Sequence, residues 1–195
     1  YLADCFGLRL LNRRGCFPQF DKFIEQTKDV WTHLVDIRKS FEPRAEELAK
    51  KYALAPYTMF IGSGALWGET ILFSMCILEE MQWKRTRYIT SADFFHGTLE
   101  LVEPGVPVFL FMGEDENRKL DERVRAFLTR GVTGDTDINI IDTAEFAIPG
   151  LDDEFRVIVS PWILTVLVTD RLARYYETVT KHNLKYRRYY HQFDY

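Results

Sequence analysis

Two acid–base groups stand out in this chain of 195 residues: Glu80, near the end of an apolar segment, and His96, in the stretch Ser91-Ala92-Asp93-Phe94-Phe95-His96-Gly97. A carboxylate at the C-terminal end of a helix works against the macrodipole, which disfavours an anion there and tends to raise its pKa, as a general base requires. Solvated glutamates at helix ends are also common, and a lone loop histidine is more often a packed or capping side chain. Helical periodicity from Phe73, Cys76 and Ile77 favours Glu80 over its neighbour Glu79 as the residue facing the strand ends.

A third candidate is Gly62-Ser63-Gly64, which follows the apolar run Tyr57 to Ile61. Backbone amides and a following helix N-terminus could approach an anionic or polyhydroxy ligand there, although a plain tight turn explains the same residues. The segment Lys185 to Tyr190 is basic and aromatic. In an acidic protein it reads as a docked tail whose arginines are available to a phosphate, rather than as a site for single-stranded nucleic acid.

The elements that must position these groups alternate. Apolar periodicity predicts a short helix over residues 2–11, broken by Gly15 and Pro18, and a charged helix over 20–52 that Pro43 interrupts or restarts. Strands are expected at 57–61, 88–89, 108–112, 138–141 and 157–159. Helices are expected at 65–83, 117–130 and 161–181, the last with Pro161 in its first turn. Alternation of this kind implies an α/β fold with a parallel sheet between helices, and it places ligands at the carboxyl ends of the strands.

Composition bounds the function. The chain is 47% hydrophobic, enough for a packed core, and 25 basic against 29 acidic residues leave a net charge of -4, which gives no broad electrostatic footprint for nucleic acid. No apolar run reaches the roughly 20 residues of a membrane span. Three spaced cysteines, Cys5, Cys16 and Cys76, make neither a disulfide framework nor a zinc motif, so a reducing cytoplasm is the expected compartment. The first residue is Tyr1, and the chain reads as a piece of something longer.

Taken together, Gly62-Ser63-Gly64, Glu79-Glu80-Met81-Gln82-Trp83 and Phe94-Phe95-His96-Gly97 resemble the second lobe of the sugar isomerase (SIS) family. In that family a helix-end glutamate precedes a loop histidine by sixteen residues, the spacing of Glu80 and His96 here. Leu99 to Pro107, and Arg187-Arg188-Tyr189-Tyr190 with the terminal aromatic Tyr195, look most like the fructosamine 6-phosphate deglycases. Ala92-Asp93 replaces the usual Gly-Glu, and His96-Gly97-Thr98 the usual His-Gly-Pro, which bears on substrate preference more than on reaction type.

The resemblance implies a three-layer SIS sandwich over residues 53–195, with residues 1–52 a helical linker from an absent first lobe that carries the phosphate loop. It implies Glu80 as base and His96 as acid, with Gly62, Ser63, Gly64, Asp93 and Arg188 binding a phosphosugar. Neither a metal nor an organic cofactor is required. It implies a homodimer or higher oligomer with no nucleic-acid or membrane partner, and Phe94, Phe95 and the tail tyrosines would suit its interface. Alternatives with the same residues are an aldose/ketose isomerase and a glutamine-dependent aminosugar synthase; a non-catalytic sugar-phosphate sensor would not need the pair.

Overall fold

The computed structural model describes residues 1–131 and 133–194. Tyr195 lies outside the described residues. Four helices come first: α1 (Leu2–Arg13), α2 (Phe20–Thr27), α3 (Val30–Ser40) and α4 (Glu42–Tyr52), the last with Pro43 in its first turn. The expected long helix therefore breaks twice, once at Lys28-Asp29 and once just before Pro43, where proline has no N–H to lose.

Four parallel strands follow: β1 (Thr58–Gly62), β2 (Thr86–Ile89), β3 (Val108–Met112) and β4 (Ile138–Asp142), in the spatial order β2-β1-β3-β4. The crossover from β1 to β2 is α5 (Trp67–Ile71), continued without a break by a wide-wound π-type stretch (Leu72–Met81). Helix α6 (Arg118–Leu128) joins β3 to β4. The chain then runs through α7 (Asp153–Leu164), a second π-type stretch (Thr165–Leu172) and α8 (Ala173–Thr180).

Strands β1 and β3 are buried on both faces, which explains why they read as unbroken apolar runs rather than as alternating ones. Their side chains divide by the period of two. Phe60, Phe109 and Phe111 join Phe73, Phe155 and residues of α2–α4 in the larger core, with Phe60 stacked on Phe109 at 5.2 Å. Met59, Ile61, Val108, Leu110 and Met112 face Val124 and Leu128 of α6 together with Phe94. Residues 20–52 thus share a core with the sheet.

The strand expected at 157–159 is not formed: Val157, Ile158 and Val159 lie inside α7, and Pro161 is in that helix's interior. The acidic start Asp152-Asp153-Glu154 supplies an N-terminal signal that outweighs a three-residue β-branched run. A second correction concerns Phe94, which is fully buried in the smaller core and so is not available to a subunit interface. Tyr186, Tyr189 and Tyr190 are exposed. No helix among the described residues is long and apolar enough to cross a membrane.

Candidate functional site

A crossover helix between parallel strands runs antiparallel to them, so its last turn returns to the amino ends of the sheet. Glu79 shows this directly: its carboxylate accepts a hydrogen bond of 2.6 Å from the hydroxyl of Thr86, the first residue of β2, which pairs with Thr58 at the start of β1. Glu80 therefore sits at the amino ends of the strands, not at the carboxyl ends where ligands are expected to collect. Both carboxylates, rather than one, line the same cleft.

That cleft encloses about 540 Å³ between the helix end and the tail, with Trp83, Lys84, Arg85, Arg187 and Arg188 around the two glutamates. The helix ends at Met81, and two residues on, Trp83, whose φ of 52° is left-handed, turns the chain away. The tail is anchored beside it, because Gln82 Nε2 donates to the His182 carbonyl at 2.5 Å and the Thr180 hydroxyl donates to Gln82 Oε1 at 2.7 Å. Arg187 then reaches Glu80, with Nε 2.8 Å from Oε1. Arg188 lies over the Trp83 ring at 4.3 Å. Burial pulls the Lys84 ammonium below its ordinary pKa.

His96 belongs to the opposite end of the sheet. It follows β2 on a short helical turn, exposed, in a shallow cleft with Arg87, Ile89, Asp93 and Thr98. Asp93 accepts a hydrogen bond from the Thr90 hydroxyl at 2.7 Å, and its own N–H donates back to that hydroxyl at 3.0 Å. Phe94 and Phe95 pin it from below against Phe127. Within one chain the structure does not bring Glu80 and His96 into one cleft.

Gly62, Ser63 and Gly64 form a third locality, at the carboxyl ends of β1 and β3 where the strand order reverses. A Cβ on Gly62 would collide with Thr70 Oγ1, and one on Gly64, whose φ is +56°, would meet the Asp115 carboxylate. Asp115 accepts the Ala65 N–H, and the Asn117 N–H at 2.7 Å. One amide at the start of the helix, that of Ala65, is thus already matched by the chain's own anion. Glu114, Glu116, Asp153 and Glu154 line the same crevice; Glu114 is paired with Arg156 and Glu154 with Lys22, while Glu116 and Asp153 add negative charge that opposes a phosphate.

Beneath the crevice, a buried polar chain ties the three loops. Ser63 Oγ accepts the Ser91 N–H at 2.7 Å, Ser91 Oγ donates to Asp121 at 2.6 Å, and the Gly113 N–H reaches the same carboxyl at 3.4 Å. Burial pushes the Asp121 carboxyl up to about 6, against the lowering effect of those hydrogen bonds. Arg156 holds Glu114 through Nη2 at 2.6 Å.

Sequence reasoning singled out Arg188 in the tail but gave Arg187 no partner, and it missed Asp115 and Asp121 altogether. Only the pattern of carboxylates after β3 and in α6 could have hinted at the last two. Among the described residues no group of three His, Cys, Asp or Glu side chains is placed to hold a metal ion.

No family model matches the chain. Its curated relatives include a fructosamine deglycase of Bacillus subtilis, 28% identical over 188 residues, covering 94% of this chain and 54% of that protein. A fructoselysine 6-phosphate deglycase of Escherichia coli is 29% identical over 195 residues, covering 97% of this chain and 54% of that protein. A solved Bacillus subtilis structure with a provisional phosphosugar isomerase name superposes with a TM-score of 0.86 at 26% identity, over 95% of this chain and 55% of that one. The chain spans about half the length of the curated relatives it matches.

Proposed function

We propose that this chain, homologous over most of its length to proteins named fructosamine and fructoselysine 6-phosphate deglycases and sharing the phosphosugar isomerase fold, is one lobe of a two-lobe deglycase. The observation that carries the reading is Glu80: a carboxylate held by Arg187 in a cleft whose lysine and arginines outnumber its two glutamates, where an anionic substrate can approach it. The substrate is a fructosamine 6-phosphate, a ketose bearing an amine on carbon 1.

Glu80 takes a proton from carbon 1, and the electron pair moves to form a carbon 1–carbon 2 double bond while the carbonyl oxygen is protonated, giving an enaminol. Reprotonation at carbon 2 leaves an imine between carbon 1 and nitrogen. Water adds to the imine carbon and the carbon–nitrogen bond breaks, releasing glucose 6-phosphate and a free amine. His96 is the acid. Because it lies at the far end of its own sheet, it serves Glu80 of a second copy in a homodimer or larger assembly.

The test is incubation of the full-length protein with fructoselysine 6-phosphate, following glucose 6-phosphate through a coupled dehydrogenase. Release that is lost in Glu80→Gln supports both the reaction and the base. Interconversion of ketose and aldose phosphates without amine release would move the assignment to the isomerase that the structural relative's name suggests.

A further inference from the structure

The cleft around Glu80 holds more positive charge than its carboxylates match. Arg187 is paired with Glu80, and Glu79 is satisfied by Thr86. Lys84, Arg85 and Arg188 line the same cleft and form no ion pair among the described residues. Lys84 is half-buried, so its ammonium has given up part of its hydration without gaining a counter-ion. Arg188 is stacked on Trp83, an arrangement that fixes the guanidinium plane and leaves its edge donors unused. Unmatched cations over an aromatic floor form a seat for an anion.

The chemistry of the reaction indicates which anion. The inference rests on the deglycase reading, in which carbon 1 of the sugar lies against Glu80. The phosphate is at the far end of the sugar chain, whereas the amine substituent is bonded directly to carbon 1. A group in the same cleft as Glu80 therefore meets the amine half before it meets the phosphate. We propose that Lys84, Arg85 and Arg188 bind an anionic group close to the substrate nitrogen, such as the carboxylate of an amino acid glycated on its α-nitrogen, and so select which amines are released.

The test compares the 6-phosphates of fructosyl-glycine and fructosyl-glycinamide, which differ only in the charge of that group, with the full-length protein. The expected result is a preference for the carboxylate of about ten- to hundredfold in kcat/KM, expressed mainly in KM, as charge-assisted hydrogen bonds give. In Arg188→Gln and Lys84→Gln the ratio moves toward unity, and Arg188→Lys, which keeps the charge without the stacked fork, retains only part of it. Equal kcat/KM for the two substrates in the unaltered protein, a comparison that needs no variant to fold, overturns the proposal, as does a ratio unmoved by the substitutions. If neither compound yields glucose 6-phosphate while ketose and aldose phosphates interconvert, the deglycase reading itself fails and this inference fails with it.

Discussion

Arg187 donates from Nε to Glu80 Oε1 at 2.8 Å and so fastens the C-terminal tail to the end of the β1–β2 crossover. The tail's other ties include the stacking of Arg188 on Trp83, the bonds around Gln82 and Thr180, and the Leu184 N–H donating to Glu177.

Removing that fastener by Arg187→Ala is expected to cost global stability only about 0.2–1 kcal/mol, the range for pairs that remain in contact with solvent. The tail itself should loosen more than the body. Limited trypsin digestion should cut at Lys185 and Arg188 several-fold faster, and an unchanged cleavage rate would contradict the role of the pair.

Glu80→Gln in the full-length protein is expected to lower kcat by about 10²- to 10⁴-fold, the usual contribution of an acid–base group. Thermal unfolding should move little, since Glu80 supports only the tail. Turnover near that of the parent would end its assignment as the base.

The placement of Glu80 and His96 at opposite ends of one sheet gives a complementation experiment. Glu80→Gln and His96→Ala proteins should each be inactive. Mixed and allowed to exchange subunits as dimers, they should recover up to about a quarter of parental activity, since half of the dimers are hybrid and each hybrid has one intact site. No recovery despite demonstrated exchange would mean that His96 does not complete the site of the other subunit.

Asp121 carries a pH signature. Its folded pKa of about 6 lies above its ordinary value of 3.8, so between those limits the native chain keeps a proton that the unfolded chain has released. Stability on its account is lost as pH rises through that window. Asp121→Asn should gain on the parent by about 1–3 kcal/mol between pH 4 and pH 7, measured by urea unfolding at both. A constant difference across the window would show that Asp121 does not titrate there.

Gly62→Ala is expected to destabilise by about 1–3 kcal/mol, because the new methyl collides with the Thr70 hydroxyl, which is fixed by its bond to the Leu66 carbonyl at 2.8 Å. The double variant with Thr70→Ala should recover most of that loss. Additive costs in the cycle would mean that the collision is not the cause.

The sheet was legible because β1, β3 and β4 are short apolar runs closed by turn residues, a signal that resides in consecutive positions. The same local logic misread Val157 to Val159, since a buried helix and a buried strand look alike over three residues. At the site, residue types were legible and places were not. Periodicity identified a face for Glu80 but could not report that a crossover helix ends beside the amino ends of the strands. Nor could it foresee Asp115 reaching Ala65, a contact between residues fifty positions apart that exists only once the sheet has formed.

That contact makes the Gly62–Ala65 loop a competition already decided. A carboxylate tethered by its own backbone has an effective concentration at the Ala65 amide set by the chain's geometry and not by the solution, so dilute free phosphate is a poor competitor for it. Phosphate-containing buffers should therefore leave this loop unoccupied while still competing at cations that have no such internal rival.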